Sequence, residues 1–468
     1  MSIHNESTGV APMQLLFAKT ALLPQGFASD VSIRIDAAGR ISSVETGAAE
    51  PAGAERVEFL LPALSNLHSH TFQRAMAGLT ESRGPSARDS FWTWREVMYR
   101  FLDVLTPDDI QAIAAFAFME MQEAGFSGVA EFHYLHNQPG GARYADPAEL
   151  SRRIAAAAAE TGIGLTLLPV HYAQGGVDGR PLAGGQLRFA NDRDSFADLV
   201  AQLPDALSAL HADASWGIAP HSLRAVGAAE LASLAALAPD RPFHMHIAEQ
   251  EKEIDETLAV FGARPVEWLL AHHDVGPRWC LIHCTHMTPG ETEALARSGA
   301  VAGLCPVTEA NLGDGIFDAE RFLGAGGRFG VGSDSNIRIS AVEELRQLEY
   351  SQRLRDRLRV VLAAPGQSSG HRLYGDALAG GAQALGRASG AIAQGNWADL
   401  LALDADALGF GALSGDAALD AWVFSMGNAA VSDVWSAGRH SVRAGRHVAR
   451  DAIAARYRAC LAGIMARF

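Results

Sequence analysis

Lysine is almost missing from this chain: Lys19 and Lys252 are the only two, and every other strongly basic side chain is arginine. Cysteine is scarce as well. Cys280, Cys284, Cys305 and Cys460 form no CxxC pair and are too few for a disulfide framework, so a disulfide-stapled scaffold is excluded and a reducing compartment is expected. No uncharged apolar run reaches the ~18 residues that a membrane-crossing helix needs. The first thirteen residues are polar and lack the basic-then-apolar order of a signal peptide, so the expected location is cytoplasmic. Positive charge is also short. A formal net charge of -15 argues against nucleic acid as a partner, because phosphate binding needs a basic face. The same deficit means that an anionic substrate must be met by arginines placed locally.

What is present suits a well-packed enzyme: 48% of residues are apolar and 19% charged. The 468 residues exceed one ordinary compact domain, so a large domain with a smaller companion is expected. Short alternating runs such as VSIRIDAAGRISSVE and ERVEFLLPA, broken by Gly and Pro, read as strands and hairpins. The same texture returns in NWADLLALDADALG and AWVFSMGNAAVSDVWSAGRHSVRAGRHV. Between these ends, GVAEFHYL, GLTLLPVH, SWGIAPHS, PFHMHIAE, CLIHCTH, VAGLCPVT and RFGVGSDS read as buried parallel strands. Helical stretches separate them, among them PDDIQAIAAFAFMEMQEAG and PAELSRRIAAAAAETG, the latter ending in a glycine placed as a C-cap. The fold expected is a (β/α)8 TIM-like barrel over residues 61–375. Residues 1–60 and 376–468 would complete a small β-sandwich domain, with a terminal helix.

Barrel active sites lie at the C-terminal ends of the strands, so polar residues that interrupt each apolar run mark the site. FLLPALSNLHSH, read as the first strand, ends in His68 and His70, two apart and facing the same side. HxH alone is a weak signal, but three further strand ends join it. PFHMHIAEQ supplies His244, His246 and Glu249; CLIHCTH supplies His283 and His286; RFGVGSDSN supplies Asp334. Imidazoles with a carboxylate suit zinc with one position left open, and iron or manganese also fit.

This pattern of HxH, a later His, another His and then Asp on successive strands resembles the amidohydrolase superfamily. NLHSHTFQRAMAGLTE, DSFWTWREVMYRF, HIAEQ, LIHCTHM, CPVTEANLGDG and GVGSDSN are similar, more narrowly, to the formimidoylglutamate deiminases of histidine degradation. The resemblance implies metal ligands His68, His70, His246 and Asp334, and a homodimer. Dinuclear relatives need a bridging carboxylated lysine from a middle strand. Lys19 precedes the barrel and Lys252 lies beyond the HIAEQ strand end, so one Zn2+ per chain is expected.

The activity implied is hydrolysis of N-formimino-L-glutamate to N-formyl-L-glutamate and ammonia. Glu249 would exchange protons with the substrate nitrogen, a role favoured over that of a solvated residue opening the next helix. His283 would orient or deprotonate the water, with His286 as the competing candidate, and Asp334 would also carry a proton. For the two substrate carboxylates the candidates are Arg95 and Arg224, helped by Gln73, Tyr134 and His221; which arginine serves which carboxylate stays open. Trp92 and Trp94 would form a loop that packs down beside Arg95. Asn311 frames the site or supports a turn. His133 and His244 are read as packing or supporting residues. Two other readings compete: a purine, pyrimidine or aminotriazine deaminase on the same scaffold, and a non-catalytic barrel module.

Overall fold

The strands of the two chain ends need each other, because each has two faces to bury and neither end covers both. The computed structural model describes residues 13–83, 90–407 and 411–468. Strands β1 (Gln14–Leu23), β2 (Gly26–Ile35), β3 (Ile41–Glu45) and β4 (Glu55–Pro62) come from the N-terminal side. After them run the barrel strands β5 (Leu64–Ser69), β6 (Phe126–His133), β7 (Gly164–His171), β8 (Ser215–Trp216), β9 (Ala219–Pro220), β10 (Phe243–Ile247), β11 (Trp279–His283), β12 (Val301–Leu304) and β13 (Arg328–Val331). The far end adds β14 (Leu400–Leu403), β15 (Val431–Ser436), β16 (Arg439–Arg443) and β17 (Arg446–His447).

β14 pairs with β4, which joins the ends into one sheet of order β17-β16-β15-β14-β4-β1-β2-β3. Alternation sorts its side chains. Leu60, Leu400 and Ala402 fall in a private core with Leu16, Val31, Ile33, Ile35 and Trp435, while Phe59, Leu61, Leu401 and Leu403 join the main core. Only a sheet curled over itself can bury the private cluster. The expected sandwich is therefore one continuous sheet folded on its own core.

The barrel is built from two parallel runs, β5-β6-β7-β8 and β10-β11-β12-β13, with β9 also paired to β7. Parallel bridges between Ile218 and Phe243 and between Ser69 and Asp334 close the ring. β8 and β9 are two pieces of the fourth strand, so eight staves result. FLLPALSNLHSH is not one strand. It changes sheet at Ala63, whose N–H donates to Asp399 O (2.9 Å), so that its first half belongs to the terminal sheet.

Helix Glu149–Thr161 stops at Gly162 (φ 71°), as its sequence indicates. FWTWRE, in contrast, is not a loop. It opens helix Phe91–Leu102, where Ser90 Oγ accepts from Trp92 N and Thr93 Oγ1 accepts from Ser90 N. Phe91, Met98, Phe101 and Leu102 form its buried stripe at helical spacing. A buried Arg387 pins barrel to sheet, with Nε 2.6 Å from Asp399 and Nη2 2.8 Å from Asp213. Among the described residues no helix is long and apolar enough to cross a membrane.

Candidate active site

Polar residues collect at the C-terminal rim of the staves. His68 lies in β5 with His70 just past it, His246 lies in β10, His283 closes β11, and Asp334 follows β13; all five are buried. Nε2 of His68 and Nε2 of His70 each lie 3.3 Å from Asp334 Oδ1, and His246 Nε2 lies 3.1 Å from His68 Nε2. One donor atom from each of His68, His70, His246 and Asp334 falls within 4.8 Å of the others.

Main-chain carbonyls orient two of the imidazoles. His70 Nδ1 donates to Phe132 O (2.9 Å) and His246 Nδ1 to His221 O (3.0 Å), which turns both Nε2 lone pairs inward. Burial keeps these rings neutral: it lowers His70, pushes His246 well below its ordinary range, and takes His68 to about 3 against the pull of Asp334. Asp334 is shifted the other way. Burial would raise it, but the His68 hydrogen bond and the neighbouring imidazoles, His283 among them, hold it below the usual carboxylate range. Neutral lone pairs 3.1 Å apart beside a carboxylate repel one another until a cation lies between them, so the donor set fits a divalent transition metal.

The backbone is bent to deliver these groups. Ala248, His283, Cys284, Asp334 and Asn336 have φ between 42° and 72°, five of the ten non-glycine residues with positive φ among those described. Such conformations persist only where surroundings over-determine them. Glu253 accepts from the N–H groups of Ala248 (3.1 Å) and Glu249 (3.2 Å). Glu309 accepts from Cys305 N (2.9 Å) and lies 3.3 Å from His283 Nδ1. Asp334 exchanges main-chain bonds with His68 and His70, both 2.9 Å. That approach needs Gly332, where a Cβ would sit 2.7 Å from His68 O.

Beyond the quartet lies a cavity of about 520 Å³ lined by Gln73, Arg95, Tyr134, His221, Arg224, Glu249 and His283, together with apolar Phe91, Trp94, Met98 and Phe189. Every residue expected in the site is thus gathered around this space or the quartet beneath it. Glu249 sits with Oε1 3.7 Å from His283 Nε2 and Oε2 3.2 Å from Arg224 Nη2. His283 is raised to about 10: burial opposes this, but Glu249, the Glu309 hydrogen bond and Asp334 prevail. Gln73 Nε2 donates to Tyr134 Oη (2.7 Å). Arg95 donates to Tyr172 Oη (3.0 Å), whereas Arg224 lies between Glu249 and Glu253 (Nε 3.8 Å).

Other candidates fall outside. His286 donates Nε2 to Asp314 O (2.8 Å), and His244 Nε2 to Ala384 O (2.8 Å) behind the barrel wall. His133 is buried without lining the cavity. Asn311 reaches Glu81 (3.0 Å) at the surface. Trp94 lines the cavity from the Phe91–Leu102 helix, and Trp92 lies under Lys252 Nζ at 4.4 Å on the rim. Lys19 pairs with Asp30 in the terminal sheet and Lys252 with Glu256, so neither approaches the quartet.

Sequence reasoning missed Glu253, Glu309, Asp314, Tyr172 and Glu131. Glu309 and Asp314 stand in CPVTEANLGDG, where only Asn311 drew attention. Tyr172 follows GLTLLPVH directly, the position from which a stave addresses the mouth. Asp314 is buried; burial and Glu249 raise it to about 9, with His283 pulling down and Glu309 up. Glu131, raised to about 7 by burial against two bonds from Thr71, anchors the turn after His70.

The chain is similar to known proteins along most of its length. The model of the amidohydrolase family matches residues 59–440, and that of the N-terminal domain of formimidoylglutamate deiminase HutF matches residues 13–58. A formimidoylglutamate deiminase of Pseudomonas aeruginosa is 51% identical over 94% of this chain and 97% of its own length. The chain belongs to the amidohydrolase family, among its formimidoylglutamate deiminases. A crystal structure of an amidohydrolase from Brucella melitensis superposes on this amidohydrolase with a TM-score of 0.93 at 49% identity, covering 97% of this chain and 100% of that one. A zinc-bound adenosine deaminase from Xanthomonas campestris shares the fold, with a TM-score of 0.80 at 21% identity over 97% and 98% of the two chains.

Proposed function

We propose that this amidohydrolase hydrolyses the formimino group of N-formimino-L-glutamate, releasing ammonia and N-formyl-L-glutamate in histidine degradation. The observation that carries the reading is a metal-competent His3Asp quartet opening into a cavity that also holds Glu249, His283 and two arginines. Likeness along nearly the whole chain to a formimidoylglutamate deiminase supports the substrate.

His68, His70, His246 and Asp334 would hold one metal ion, Zn2+ in our reading, with iron or manganese compatible with the same donors. When bound, such an ion lowers the pKa of water to ~7 and so supplies hydroxide at neutral pH. The remaining work falls to side chains. His283, facing Glu249 and bracketed by Glu309, orients the attacking water. Glu249 takes the proton that the water gives up and delivers it to the imino nitrogen as oxygen adds to the formimino carbon, and that carbon becomes tetrahedral. Asp334 carries the second proton from the added hydroxyl to that same nitrogen, its bond to carbon breaks, ammonia leaves, and the carbonyl of the formyl product forms. Arg95 and Arg224 meet the two carboxylates, and Gln73, Tyr134 and His221 add neutral hydrogen bonds. Helix Phe91–Leu102 brings aromatic cover that keeps bulk water from the reacting carbon.

The barrel expected over residues 61–375 has its first stave at Leu64 and is bounded by the helix Ser369–Leu385; in this reading it carries the chemistry, and the strands on either side of it supply the bracing sheet. Four free cysteines fit a reducing, cytoplasmic setting, and a homodimer belongs to the same proposal. Ammonia release measured side by side from N-formimino-L-glutamate, guanine and cytosine tests the assignment. Turnover of a ring substrate in preference to the formimino compound overturns it.

A further inference from the structure

We propose that the barrel mouth contains a second divalent-cation site, separate from the His3Asp quartet and built from Glu249, His283 and Asp314. One donor atom from each of these buried residues lies within 4.8 Å of the other two. Metal–ligand bonds of about 2.0–2.2 Å set donors on one ion roughly 3.3–4.4 Å apart, so small side-chain rotations suffice.

Three details point to a cation rather than to an acidic cluster that happens to be there. Asp314 is 4% exposed, and its Oδ2 has no hydrogen-bond partner among the described residues, while Oδ1 is taken by Gln250. His283 lies with Nδ1 3.3 Å from a Glu309 carboxylate oxygen. With Nδ1 held by Glu309, Nε2 is the nitrogen turned to the cluster, and a cation that takes the place of its proton meets the carboxylate–histidine arrangement that orients imidazole ligands on metals. Finally, His283 Nε2 stands 3.7 Å from Glu249 Oε1, beyond hydrogen-bond reach and facing it through charge alone, so a cation can come between the two. Two carboxylates and an imidazole favour zinc or a similar borderline divalent ion.

The ring of His283 lies stacked beside that of His246, with centroids 5.5 Å apart, so the two sites are neighbours. Charge repulsion between neighbouring dications makes the second site the weaker one. Filling it occupies Glu249 and His283, and excess zinc therefore inhibits. That consequence for turnover rests on the proton roles assigned above; cation binding itself does not.

Calorimetric titration of zinc chloride into the one-zinc enzyme, with ammonia release measured at the same zinc concentrations, tests the proposal. A second equivalent should bind, and turnover should fall along the same isotherm. Asp314→Asn should keep the first zinc and most of the basal turnover, while both curves move to higher zinc by roughly tenfold or more. Asp314→Ser replaces it should the Asn variant not fold. Absence of a second equivalent at millimolar zinc, or curves unmoved by either substitution, overturns the proposal. A second equivalent on a chain inactive toward N-formimino-L-glutamate would sink the functional reading and leave this site standing.

Discussion

Arg95 and Arg224 line the same cavity, yet their removal should have different consequences. Arg95 is half-buried, and its hydrogen bond runs to the neutral Tyr172 hydroxyl. Arg95→Met keeps much of the stem and leaves no carboxylate behind. Loss of one charged hydrogen-bonding partner costs about 1.5–3 kcal/mol, roughly ten- to 160-fold in kcat/KM. With metal content and thermal stability unchanged, that loss should appear mainly in KM. Arg224 is buried against Glu249 (3.2 Å) and Glu253 (3.8 Å), so Arg224→Met strands two buried carboxylates. Breaking a buried pair costs about 3–5 kcal/mol, and Glu249 also loses the contact that fixes it. Both Tm and kcat should fall with KM.

The assay is a cycle that crosses each variant with substrates lacking one carboxylate, read by ammonia release, with thermal melts alongside. A substrate without the matching carboxylate should barely register the Arg95 substitution. Additive effects for both arginines with both carboxylates would refute the dicarboxylate assignment. Equal stability of the two variants would refute the claim that Arg224 neutralises the Glu249–Glu253 pair.

Glu249→Gln should retain metal and lower kcat by about 10²–10⁴-fold, since an amide cannot shuttle the proton; loss of metal would instead make Glu249 a ligand. Metal analysis of enzyme purified without chelator should give one transition-metal ion per chain, and dialysis against chelator should abolish turnover and lower Tm, both restored by zinc; two ions in enzyme purified without added zinc would contradict the mononuclear assignment. Burial lowers His136 and His244 to about 4, so between there and their unfolded value of 6.5 the native state binds fewer protons than the unfolded one. Stability should therefore fall as pH falls through that window, by about 1.4 kcal/mol per pH unit for each group. His244→Gln should flatten the slope of Tm against pH, and an unchanged slope would refute it.

The quartet was legible because its members sit where period-2 strands end, and a strand end speaks in its own sequence. His68 and His70, two apart, and Asp334, after a glycine-spaced run, need only the barrel to bring them together. Function carried by distant packing was less visible. FWTWRE looked like a loop because its aromatic residues mask the helical stripe, which emerges only at Met98, Phe101 and Leu102. FLLPALSNLHSH looked like one strand because both halves are fully buried, and burial on both faces erases the alternation that marks a change of sheet. Arg224 read as a substrate arginine; that it also lies between two glutamates depends on Glu253, a residue whose sequence context is an ordinary helix start.

The carboxylates that escaped notice explain how the strained turns of the site hold their shape. Each strained turn at the mouth is held by an acceptor one element away: Glu253 gathers the N–H groups after β10, Glu309 bridges the ends of β11 and β12, and Asp334 trades bonds with β5. A residue in left-handed conformation costs about 1–3 kcal/mol. Hydrogen bonds to a charged group return about 1.5–3 kcal/mol each. The brackets therefore offset the strain locally, and Glu249, His283 and Asp334 are aimed before substrate arrives. The geometry lies in the backbone turns, and the specificity in side chains that arrive from elsewhere.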